Sequence, residues 1–123
     1  MRYTKDNNFW YCLDELLAQS KIVIERPKGS IHPRYPQIVY QLDYGYLDGT
    51  KSSDNEGVDV WIGSDSDRQL NAVMCTVDLV KKDAELKLLI GCTQKEKAYI
   101  NSLYNEWSQM GGILVERDDS KTL

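Results

Sequence analysis

Between Lys21 and Cys92 the apolar residues come in short runs, each closed by a glycine, proline or aspartate turn. Lys21–Glu25, Gln37–Leu47, Val58–Gly63, Ala72–Val80 and Leu86–Cys92 read as strands, with a last one at Ile113–Glu116. Arg26–Pro36 holds Pro27, Gly29, Pro33 and Pro36, which rules out regular structure and predicts a long shaped loop. Helical signals stand only at the two ends. Asn7 or Asn8 offers an N-cap ahead of an apolar stripe of Trp10, Leu13 and Leu17, with Leu16 alongside. Thr93-Gln94-Lys95-Glu96 has the form of a capping box. The helix after it should bury Tyr99 or Ile100, Leu103, Tyr104 and Trp107, and stop at Gly111-Gly112. This pattern predicts class α+β: a small closed or half-closed barrel with a helix at each end, as one domain over residues 1–123.

A chain of 123 residues can bury one core, and 41% apolar with 28% charged residues is a globular balance. The net charge of −4 argues against nucleic acid, whose phosphates call for a basic face. An acidic protein can still bind a polyanion if divalent cations stand between its carboxylates and the ligand. The N-terminus is polar and charged through Asn8, and no apolar run approaches the roughly eighteen residues of a membrane span. Cys12, Cys75 and Cys92 form no CxxC pair, which points to free thiols in a reducing cytosol. A soluble, cytoplasmic protein without membrane or nucleic-acid partners is expected.

Ser53-Asp54-Asn55-Glu56-Gly57-Val58-Asp59-Val60 places three carboxylates within six residues. Such a run is commonly a solvated acidic loop. Like charges so close raise one another's pKa unless a cation neutralises them, and magnesium takes hard oxygen ligands of this kind. Asp59 lies between valines and points to the opposite face, together with Trp61. A carboxylate on a half-buried strand face needs a partner. In an extended strand Glu85 and Lys87 share a face, with Asp83 joining them if the strand reaches it; the plainer reading is a surface ion pair. Tyr40, Tyr44, Tyr46 and Tyr104 are core aromatics or donors to phosphate oxygens. His32, the sole histidine, lies between Ser30-Ile31 and Pro33-Arg34 and reads as a loop residue rather than a base.

Ile24-Glu25-Arg26-Pro27, Tyr40-Gln41-Leu42-Asp43-Tyr44-Gly45-Tyr46 and Asp54-Asn55-Glu56-Gly57-Val58-Asp59-Val60 together resemble the family I soluble inorganic pyrophosphatases. That family has an I-E-x-P strand, a Y-P-x-N-Y-G-Y segment and the signature D-G-D-P-x-D-V. The resemblance spans about Ile22 to Lys87, with an echo at Tyr104. It implies a five-stranded OB-type β-barrel and magnesium-dependent hydrolysis of pyrophosphate. By motif position, Asp54, Glu56 and Asp59 are the implied metal trio, with Glu85 and Glu25 as further acidic positions. Asp59, Glu56 and Tyr44 are the implied catalytic residues, and Lys87, Tyr40 and Tyr104 the implied phosphate contacts. The resemblance leaves a homo-oligomer open.

The sequence departs from the family at several of these positions. Glu56 stands where the family has aspartate, Asn55 and Gly57 replace its glycine and proline, and Asn105 follows Tyr104 in place of lysine. Fourteen residues separate Glu25 from Tyr40, about half the family interval, so a hairpin carrying a lysine and an arginine is missing or collapsed. Lys28 and Arg34 are the nearby substitutes. Two functions follow from this: Mg2+-dependent hydrolysis of pyrophosphate or a related phosphoanhydride, or a weakly active metal- and phosphate-binding protein of the same fold.

Overall fold

A computed structural model describes residues 5–118; both ends of the 1–123 domain expectation lie outside the described residues. The element order is α1 (Lys5–Ala18), β1 (Lys21–Arg26), β2 (Asp43–Asp48), β3 (Val58–Ile62), β4 (Leu70–Asp78), β5 (Asp83–Ile90), α2 (Gln94–Leu103) and β6 (Met110–Glu116). The class is α+β. All six strands form one mixed sheet in the order β1-β2-β3-β5-β4-β6, antiparallel except where β3 runs parallel to β5. With β1 and β6 at its two edges the sheet is open, and it has six strands. The five-stranded closed barrel implied by the resemblance is not seen.

Period-2 alternation gives each face of the sheet its own core. Leu47, Val58, Val60, Ile62, Val73, Leu88 and Ile90 point to one side, where Trp10 and Leu13 of α1 cover them. Trp61, Ala72, Met74 and Leu89 point to the other, under Ile100 of α2, Tyr104, and the Tyr40–Leu42 segment that enters β2. Val60, Trp61, Leu88 and Leu89 are fully buried. At roughly 1.5–3 kcal/mol for each large apolar side chain, the central strands anchor the fold.

Local signals account for much of this, and tertiary contacts move several boundaries. Thr93 caps α2 in both directions of a capping box, with Glu96 N–H donating to its hydroxyl and the Glu96 carboxylate accepting from Thr93 N–H. The helix ends at Leu103, well before Gly111-Gly112, which lie inside β6; Gly112 is packed beneath Met74, where a Cβ would stand 2.6 Å from its methyl. Trp107 is therefore past the helix and 42% exposed, its ring edge-on to Tyr35. At the other end, α1 starts at Lys5, so Asn7 and Asn8 sit within its first turn rather than capping it. The strand expected over Gln37–Leu47 is shorter, because Tyr40 and Leu42 fold onto the sheet face before β2 begins at Asp43. No helix is long and apolar enough to cross a membrane.

Candidate functional site

Asp59, Trp61, Glu85 and Lys87 emerge on the α2 side of the sheet, as alternation in β3 and β5 requires. The parallel pairing of Val60 with Leu88 sets Asp59 beside Lys87. Lys87 Nζ donates to Asp59 Oδ2 at 2.7 Å and to Glu85 Oε1 at 3.1 Å. The lysine side chain is only 7% exposed, and its ammonium also lies 5.5 Å from the centre of the Tyr104 ring. Burial by itself would lower the Lys87 pKa. Tyr104, Asp59 and Glu85 outweigh it and hold the ammonium above its ordinary range. Charge is stabilised here because two acceptors and a ring face surround it.

The phenols line the adjoining wall. Tyr44 stands across from Trp61 in the β2–β3 ladder, with ring centres 4.7 Å apart, and its hydroxyl lies near the Asp59 carboxylate. Burial, then Tyr104 and Asp59, push the Tyr44 phenol far above its ordinary value, so it is a proton donor at any physiological pH. Tyr104 caps α2, accepts a 3.2 Å bond from Trp61 Nε1, and is pushed up to about 12, chiefly by burial. Tyr40 packs on Tyr44 with ring centres 5.7 Å apart.

Asp54 reaches the same place from the loop between β2 and β3. Ser52 Oγ donates to Asp54 Oδ1 at 2.6 Å and lies 3.4 Å from Glu85 Oε2, so one hydroxyl bridges loop and strand. Asp54 Oδ1 also accepts from the Glu56 amide. The turn that allows this puts Asn55 at φ 70°, a left-handed conformation that asparagine and glycine tolerate best, which explains asparagine in the place of the family glycine. Gly57 admits no side chain, since a Cβ would sit 2.7 Å from the Tyr46 ring. Carboxylate oxygens of Asp54, Asp83 and Glu85 lie within 4.8 Å of one another. The Ser52 hydroxyl, then the Glu56 amide and Glu85, hold Asp54 below the usual carboxylate range despite some burial, while burial raises Glu85 against the pull of Lys87.

The structure therefore brings together Asp54, Asp59, Glu85, Lys87, Tyr40, Tyr44 and Tyr104, and leaves four expected residues outside this cluster. Glu56 is exposed and takes part through its backbone. Glu25 is exposed on β1, though close enough to act electrostatically on Tyr40. Lys28 and Arg34 are exposed in the loop, where their amides bond Asp43 and His32. His32 Nδ1 accepts from the Arg34 and Tyr35 amides, and burial with the nearby Arg26 and Arg34 lowers its pKa; it organises the loop. Ser52 and Arg26 were not legible as site residues. The signal for Ser52 was its place two residues before an aspartate, a spacing that favours local side-chain bonds.

A divalent cation suits the donor set. Three carboxylates converge, and none of the described lysines or arginines pairs with Asp54 or Asp83 at ion-pair distance. Hard oxygen donors, a buried lysine and protonated phenols thus share one face of an open α+β sheet. The sequence model of the Inorganic Pyrophosphatase family matches residues 16–118, and the chain belongs to that family. No curated protein and no solved structure matches it.

Proposed function

We propose that this chain hydrolyses inorganic pyrophosphate, or a related phosphoanhydride, to phosphate with magnesium, acting as a single domain in the cytoplasm. The observation that carries the reading is the Asp59–Lys87–Glu85 chain with Asp54 and Asp83 at its end. Asp54, Asp83 and Glu85 would hold the metal, with Asp59 beside them. Bound there, magnesium supplies neutralising charge for phosphate oxygens and acidifies the attacking water. Asp59 would serve as the proton acceptor for water attacking there. Tyr44, kept protonated, donates toward a phosphate oxygen, and Lys87 offers positive charge that a developing oxyanion strengthens its hold on. Tyr40 and Tyr104 wall the site and keep water from competing for these donors.

A second reading, a metal- and phosphate-binding protein with little turnover, is favoured by one contact. Lys87 already bonds both Asp59 and Glu85, so two of the acidic groups are engaged before any ligand arrives. Phosphate release from pyrophosphate, measured in magnesium and in chelator, separates the two. Release that chelator abolishes supports the hydrolase. Binding of pyrophosphate with no release supports the second reading.

A further inference from the structure

The ladder between β1 and β2 slips by one residue at its end. Ile24 pairs with Gly45, and a regular register would next set Glu25 opposite Tyr44. A bulge intervenes, and Arg26 takes that position. One extra residue thus exchanges an acid for a base opposite the phenol that faces Asp59. Arg26 is half-buried, and among the described residues it has no carboxylate within ion-pair distance. Its guanidinium lies close to the Tyr40 hydroxyl and to the stacked pair of His32 and Tyr40 rings, 6.0 Å apart and nearly parallel. Its field shows on both rings. After burial, it is the largest influence on His32 and on Tyr40, lowering the pKa of each.

We propose that Arg26 is a second phosphate-binding cation of this site, standing beside the Tyr40 hydroxyl to grip the end of a pyrophosphate-like anion that lies away from the carboxylate cluster and Lys87. Strand order supports the placement. β1 is two strands from β3 and three from β5, and at about 4.8 Å per strand Arg26 begins roughly 10 Å from the Asp59 strand. A long arginine side chain and an anion of two phosphoryl groups together span that gap. The guanidinium fork matches two phosphate oxygens at once, which a point charge does not. Lys28 and Arg34 are both exposed on the loop, whereas Arg26 is half-buried beside the aromatic wall. The inference rests on the phosphoanhydride reading for the chemical class of the anion.

Calorimetric binding of imidodiphosphate, a pyrophosphate analogue that resists hydrolysis, tests it in the presence of magnesium. Arg26→Gln should weaken binding by roughly tenfold to a hundredfold, the range for lost hydrogen bonds to a charged group. Arg26→Lys should recover part of the affinity, and Lys21→Gln, an exposed charge at the far end of β1, should change nothing. With pyrophosphate as substrate, KM should rise more than kcat falls. Should Arg26→Gln fail to fold, Arg26→Lys decides: unchanged affinity overturns the assignment, and a several-fold loss supports it. Wild-type affinity in Arg26→Gln overturns it, as does a loss carried by Lys28→Gln or Arg34→Gln in its stead. Analogue binding that depends on Arg26 without phosphate release upholds Arg26 and removes the hydrolase reading. Wild-type release together with an indifferent Arg26→Gln does the reverse. A wild-type protein that binds no analogue overturns both.

Discussion

Lys87 Nζ lies 2.7 Å from Asp59 Oδ2, an ion pair between neighbouring parallel strands in which the two side chains are 7% and 24% exposed. With Glu85 as second acceptor, the lysine is the internal counter-ion of the acidic site.

Replacing Lys87 by methionine should therefore be costly. The stem is matched in size, but two little-exposed carboxylates lose their cation. Removing one partner of a buried pair costs about 3–5 kcal/mol; some solvent reaches Asp59, so the lower end is expected. Urea unfolding of the metal-free protein would measure this, and several millimolar magnesium should restore part of the loss. A variant as stable as the wild type would show that the pair contributes nothing.

Asp59→Asn should reduce magnesium-dependent phosphate release by about 10²-fold or more, since a charged group is lost where reaction charge develops. Crowded carboxylates alone would make the neutral variant the more stable. Lys87 reverses that sign, because the substitution takes the negative charge from the ammonium's shorter contact. A loss on the order of 1–2 kcal/mol in thermal or urea melts is expected. Unaltered turnover would remove Asp59 from the reaction.

Magnesium should stabilise the wild type by RT ln(1 + [Mg]/Kd), about 2.7 kcal/mol at a hundredfold excess over Kd. Asp83→Asn should reduce this stabilisation, because Asp83 shares the carboxylate cluster with Asp54 and Glu85. Paired melts with and without the ion give the answer. If Asp83→Asn retains the full magnesium shift, the cluster is not where the ion binds.

A pH effect is expected far from the metal. Glu116, at the end of β6, accepts from the buried Lys97 at 2.9 Å and from Gln94 at 2.9 Å, and so ties α2 to the sheet. The Lys97 and Gln94 bonds hold its pKa below the ordinary value of 4.5. A depressed folded-state pKa contributes stability above the unfolded value, lost as pH falls through the folded one. The wild type should exceed Glu116→Gln in stability at pH 6–7, and the two curves should converge below about pH 4. The glutamate is nearly half exposed, so the gap should be small and shrink in high salt. Curves that stay parallel to pH 3 would exclude the contact as a source of stability.

Local rules carried the reading of several elements. Alternation through Val58-Asp59-Val60-Trp61 assigned Asp59 and Trp61 to one face and the valines to the other, as observed. Thr93 and Glu96 marked the start of α2 because both partners of a capping box lie within one turn. The extended β5 does reach Asp83, so the period of two puts Asp83, Glu85 and Lys87 on one face.

Partner choice and register lay beyond such reasoning. Nothing local shows that β3 runs parallel to β5, yet this pairing alone turns Glu85 and Lys87 from a candidate surface pair into the lining of Asp59. The bulge that sets Arg26 opposite Tyr44 is likewise a property of two strands. The helix stop expected at Gly111-Gly112 became a stretch of β6 because pairing with Val77 and Thr76 outweighed the intrinsic tendency of glycine to break structure. By itself the sequence determined which residues share a face, since alternation depends on backbone geometry within one strand. Only the tertiary structure decided which faces meet and with what offset, because those follow from contacts between residues tens of positions apart.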